Sequence, residues 1–273
     1  TLVFVNLFVY KMALAHLLEA GATLAGRRWG DAAAGLVAGF PIVAGPILFF
    51  YALEQGPLFD SNAALATLLG LISLSLFILA YCWRAKSGGN AFSCLILGWV
   101  AFALSTILIQ GRVDAGLPSL PQALFLALLA LFLARKSLPA MPDPPPAAPP
   151  SIWDLPMRML AAAALVLLLT RFAQMLGPRL GGLLTPFPVA SAVLSVFAQS
   201  QGTGASAVAV LKGMLLALNS FAAFCATLVL TLPRFSLPVS FALGLGMALG
   251  VQGGVLLWRR RQASSANLIK PLP

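Results

Sequence analysis

The feature that most limits what this chain can become is a series of apolar runs of about twenty residues, separated by short breaks that hold most of the charge. A hydrocarbon core of roughly 30 Å takes about twenty helical residues to cross, at 1.5 Å each. Inside lipid every backbone polar group must be bonded within the structure, and an uninterrupted apolar run meets that demand as a helix. Only 9% of the residues are charged, against about 25% in a soluble domain. The sequence therefore predicts an all-α integral membrane protein.

Nine segments emerge, at approximately 2–25, 31–54, 61–83, 90–110, 117–134, 156–176, 179–200, 204–232 and 236–258. The first is read as a retained span. No basic stretch precedes it, and Lys11, His16 and Glu19 interrupt it, which a cleaved signal would not tolerate well. The fifth is short and opens on Pro118 and Pro121, so a re-entrant or interfacial helix is its alternative.

The breaks sort by charge. One side collects Arg27, Arg28, Arg84, Lys86, Arg135, Lys136, Arg158 and Arg259 to Arg261. The other has Arg112, Arg171, Arg179 and Arg234 beside Glu54, Asp60 and Asp114. Cytoplasmic loops carry the excess of Lys and Arg, so the N-terminus is expected outside and the C-terminus inside the cell (inner) membrane. Nine crossings satisfy that parity, and eight would not. The formal charge of +10 is thereby explained by orientation, and no nucleic-acid partner is expected.

A repeat sets the expected architecture. Gly35-Leu-Val-Ala-Gly-Phe-Pro-Ile42 has a counterpart in Gly182-Leu-Leu-Thr-Pro-Phe-Pro-Val189, and Gln55-Gly56 in Gln201-Gly202. Leu69-Gly70 and Cys82 fall opposite Lys212-Gly213 and Cys225. Proline removes a helical hydrogen bond and clashes with the preceding turn, so each Phe-Pro marks a kinked or broken helix. An odd number of crossings separates the copies, so the second inserts upside down. The expectation is two inverted four-helix repeats, 1–110 and 155–260. Between them lie a connector helix at 111–136 and a Pro-rich cytoplasmic linker at 137–154; 261–273 forms a disordered cytoplasmic tail.

Charges within spans need a reason, since each costs roughly 2.5–3.5 kcal/mol near the bilayer centre. Lys11 lies mid-span, His16 and Glu19 follow one turn apart on one face, and Lys212 sits about two turns into the eighth span. Depth matching pairs Glu19 with Lys11 or Lys212, and Glu54 with Arg171 on the outer side. Snorkelling is the plainer account of Lys11 and Lys212. Gly244, Gly246, Gly250, Gly253 and Gly254 make the ninth span a small-residue surface suited to helix packing. Cys82, Cys94 and Cys225 have neither paired spacing nor a nearby His and read as buried apolar residues. No phosphate loop, metal-ligand cluster, nucleophile triad or paired carboxylate is present, so neither an enzyme nor a cofactor is expected.

At Gly182-Leu-Leu-Thr-Pro-Phe-Pro-Val-Ala-Ser-Ala, with Gln201-Gly202 and Lys212-Gly-Met214, the second half resembles the GlpM-like small membrane proteins. The resemblance implies a four-span unit, here duplicated, and transfers no catalytic residue. The plan of two inverted four-span units is similar to the drug/metabolite transporter superfamily. That resemblance implies a membrane-embedded coupling carboxylate, and Glu19 is the residue that would correspond.

The expected function is a secondary transporter or flippase of a small metabolite, drug-like or lipid-linked substrate, working by alternating access. Its site would be lined by Phe40, Pro41, Phe187 and Pro188, whose broken helices free backbone groups for a substrate. Glu19 would couple, tuned by His16, Lys11 and Lys212. A non-transporting subunit of a membrane complex is the alternative, because few polar residues line any face; a homodimer suits either. An ion channel is the third reading and lacks a filter-like run.

Overall fold

The computed structural model describes residues 20–41 except 22 and 26, residues 45, 48–49 and 52–53, and 56–113, 116–144, 156–161, 164 and 187–268, with side chains through 257. Among these no strand forms. The named helices are α1 Asp31–Ala38, α2 Pro57–Lys86, α3 Ala91–Val113, α4 Leu120–Lys136, α5 Val189–Gln201, α6 Gly204–Thr231 and α7 Leu237–Leu268. Among the described residues four segments are long and apolar enough to cross a membrane: α2, α3, α6 and the first part of α7, Leu237–Leu257. The chain is thus a helical membrane protein.

Local chemistry explains where the helices begin and end. Gly56 enters α2 at φ 91°, a left-handed value open to glycine, and Pro57 takes a first-turn position where its missing donor costs nothing. Arg84 and Lys86 close α2 against the negative end of its dipole. A capping box starts α4, where the Ser119 backbone N–H donates to Gln122 Oε1 at 3.0 Å. At 17 residues α4 reaches about 25 Å, short of a full hydrocarbon core.

Two helices form the centre. In their most apolar stretches α2 and α6 are 78% and 72% buried, against 28% for α3 and 22% for α7. The central pair is antiparallel, because the Ser61 hydroxyl donates to the Val229 carbonyl at 3.3 Å while Gly204 lies against Ala85 at the opposite end. Short turns return α3 along α2 and α7 along α6. In both pairs a phenylalanine ring of the central helix lies on a glycine of its neighbour, Phe77 on Gly98 and Phe224 on Gly244. The foot of α4 meets the foot of α2, where Trp83 Nε1 donates to the Ser137 carbonyl at 2.9 Å.

The remaining elements cross between the halves of the sequence. α1 packs on α6 so closely that a Cβ at Gly35 would overlap the Val210 carbonyl, and one at Gly213 the Ala32 carbonyl. Phe49 meets Phe241 of α7 edge-on at 5.1 Å, and Phe187, ahead of α5, meets Phe102 of α3 at 5.3 Å. The shift along the chain that carries Phe40 onto Phe187 also carries Pro57 onto Gly204 and Phe77 onto Phe224. In that register Ala66 and Ile78, not Gly70 and Cys82, stand opposite Gly213 and Cys225.

Two expectations are corrected. Residues 261–268 continue α7 as helix, because no proline interrupts them before Pro271. Of the α7 glycines only Gly244 packs closely on a neighbour; Cβ atoms at Gly246, Gly250, Gly253 and Gly254 would meet nothing within 4 Å. Glycine spacing alone does not say which face of a helix has a partner.

Candidate functional site

Both Phe-Pro pairs interrupt or begin helices. α1 stops at Ala38, Phe40 N–H still reaches the Val37 carbonyl at 3.2 Å, and helical bonding resumes with Gly45 N–H to the Pro41 carbonyl at 2.9 Å. Pro188 is the N-cap of α5; the residues that precede Phe187 lie outside the described set. Pro41 and Pro188 are buried, while Phe40 and Phe187 are half-buried and pack on the core.

Among the described residues the packing contacts at these kinks are apolar. Phe187 makes an edge contact with Phe102 (77° between planes) and a tilted one with Trp99 at 6.3 Å. Val37 and Ala38 of α1 pack on buried Leu194 of α5 and Val210 of α6. The two interrupted elements therefore meet across a packed seam. Phe187→Ala should cost about 1–3 kcal/mol, since each aromatic pair contributes about 0.5–1.5 kcal/mol beyond its area. Reversible unfolding in mixed micelles would measure it, and a change under 0.5 kcal/mol would count against the cluster.

The carboxylate that stands out is Asp60. It lies in the first turn of α2, is 0% exposed, and neither oxygen has a hydrogen-bond partner among the described residues. It lies near buried Cys225 of α6. The positive end of the α2 dipole favours the anion there. A buried carboxylate without a partner is expensive, and a proton or a bound cation removes that cost. The sequence places Asp60 in an outer break, one residue ahead of the span expected at 61–83. The signal that would have found it is its i, i+4 and i+7 relation to Ala64 and Thr67, both fully buried.

A second polar group gathers at the other end of the central pair. The Tyr81 hydroxyl donates to Gln199 Oε1 at 3.0 Å, and Gln199 Nε2 donates to the Gly89 carbonyl at 2.7 Å. The Arg158 guanidinium, 8% exposed, donates to Gln201 Oε1 at 3.1 Å and lies 4.9 Å over the Phe197 ring. Asp31 bonds Ser206 and stands in the field of Arg158. These contacts tie the start of α1, the 156–161 helix and the end of α5 to the α2–α6 pair. They also bury Arg158, which the sequence groups with the charges of the cytoplasmic breaks.

Lys212 is exposed on α6, which fits a snorkelling side chain. Lys11, His16, Glu19, Glu54 and Arg171 lie outside the described residues, and with them both pairings inferred from depth. Among the described residues no group of three metal-ligating side chains forms. Compared with family models, with curated proteins and with solved structures, the chain matches none.

Proposed function

We propose that the protein is a multi-pass transporter or flippase of the cell (inner) membrane, acting by alternating access on a small metabolite, drug-like or lipid-linked substrate. Its plan would be two inverted four-helix repeats joined by α4, with the N-terminus outside and the C-terminus cytoplasmic. Three features support that plan. The central helices α2 and α6 run antiparallel, each receives its following helix through a phenylalanine-on-glycine contact, and each half sends an interrupted segment onto the other half. Elements related in this way can rock against each other about a fixed centre. The resemblance to a duplicated GlpM-like unit agrees with the same plan, and no catalytic step is assigned.

The observation that carries the transport reading is Asp60. It is fully buried and neither of its oxygens has a hydrogen-bond partner among the described residues, and coupling to a proton or cation is a common reason for keeping such a group inside a membrane. Asp60 thus takes the coupling role, and Glu19 remains a second candidate for it. The measurement is made on proteoliposomes: ethidium uptake under an imposed pH gradient, and dithionite bleaching of fluorescent phosphatidylglycerol. One of the two should exceed protein-free liposomes at least about tenfold, and Asp60→Asn should abolish the excess. If neither exceeds the protein-free rate, the transport reading is lost.

A second reading has its own observation. The seam at Phe40 and Phe187 is packed and apolar, as befits a non-transporting subunit of a membrane complex. Purification from native membranes with a stoichiometric partner would favour it.

A further inference from the structure

The outward face of α2 and α3 carries a groove of about 460 Å³ whose lining is almost wholly apolar. Leu76, Leu79 and Trp83 of α2 form one wall, and Ala101, Leu104 and Leu108 of α3 the other. Leu104 and Leu108 are strongly exposed, so the groove opens sideways to whatever surrounds the helices. Its volume is comparable to one long acyl chain, and its single hydroxyl, on Ser105, is already bonded to the Ala101 carbonyl at 2.7 Å. Nothing in the lining selects a polar ligand.

Charge at one end says what fills it. Trp83 stands at the foot of α2, and its ring nitrogen is tied to Ser137 just beyond α4. That contact brings the last turns of α2 and α4 together, with Arg84, Lys86, Arg135 and Lys136. Lys86, Arg135 and Lys136 are exposed, and Lys86 Nζ sits 5.1 Å over the Trp83 ring. Arg84 folds back on Gly89. The nearest described acid in sequence is Asp143, seven residues past Lys136. An indole beside several cations at the end of an apolar groove matches the order of a phospholipid, with headgroup, interface and chain in line.

We propose that the groove and these cations form a site for one anionic phospholipid, with an acyl chain along α2 and α3 and the phosphate at Lys86, Arg135 and Lys136. The site lies on the outside of the bundle and does not depend on whether the protein transports anything. Zwitterionic lipids fill the same groove but carry a compensating cation, so headgroup charge sets the preference.

Native mass spectrometry of the full chain in detergent, titrated with phosphatidylglycerol or phosphatidylcholine, tests this. Phosphatidylglycerol should saturate one site at least about tenfold more tightly, as a few interfacial cations permit. The triple change Lys86→Gln, Arg135→Gln and Lys136→Gln, all exposed positions, should bring the two lipids within about twofold of each other. Ala101→Trp should weaken both by filling the groove. Equal affinity in the unaltered protein, or a preference that survives the triple change, overturns the proposal. So does a Leu104→Cys disulfide between two copies in native membranes, which would mean that a second copy covers the groove.

Discussion

A single methyl group at Gly35 or Gly213 is expected to unseat α1 from α6. A Cβ at Gly35 would overlap the Val210 carbonyl and lie 2.7 Å from the Met214 nitrogen. At Gly213 it would overlap the backbone of Ala32. In both cases the obstacle is helical backbone, which cannot rotate aside as a side chain would. Overpacking of this kind costs typically 1–3 kcal/mol, and here it meets main chain on both sides, so about 3 kcal/mol or more is expected for either alanine variant. Close backbone approach through small residues is also the chief source of helix adhesion in lipid, where burial of apolar surface contributes little. Gly250→Ala in α7 is the control. It meets nothing within 4 Å and should be neutral or gain up to about 1 kcal/mol from helix propensity. Unfolding midpoints of the three variants side by side would decide, and equal midpoints would disprove the close packing of α1.

The second large effect is a gain of stability bought with function. Asp60→Leu replaces a fully buried carboxylate, without a hydrogen-bond partner among the described residues, by an apolar side chain of similar size near Cys225. Replacing buried charge by well-packed apolar groups is often neutral or stabilising by about 1–4 kcal/mol. For a chain of this size a gain near 1–2 kcal/mol raises Tm by roughly 2–8 °C. Asp60→Asn keeps the shape but leaves a buried amide without partners, so it should gain little. Both should lose coupled transport. A Leu variant that melts below the unaltered protein would mean that Asp60 holds a structural contact, and the coupling role would fall with it. Gain of stability with loss of coupling is what a residue kept for function produces.

How legible was this in the sequence? Two of the helices were, nearly to the residue. Runs expected at 90–110 and 204–232 appear as Ala91–Val113 and Gly204–Thr231, because apolar length and the Pro, Gly and Ser signals at their ends act locally. The break at Phe40-Pro41 was equally visible, since proline acts on its own turn. The site was less so. Asp60 and Arg158 were read as break charges from their distance to the helix ends, yet both are buried by elements remote in sequence. Position along the chain carries depth and leaves rotation about the helix axis open.

Sequence alone determined that this chain is helical, that it belongs in a membrane, and where helices such as Ala91–Val113 and Gly204–Thr231 begin and end. Those properties depend on contiguous stretches of apolar residues and on the turns that flank them. Tertiary structure decided which helices occupy the centre and which glycines are contacts, Gly35 and Gly213 but not Gly250. It also decided which acid is sealed from solvent. In lipid most faces of most helices are apolar, so composition cannot mark the buried face, and only the fit of one backbone against another selects it.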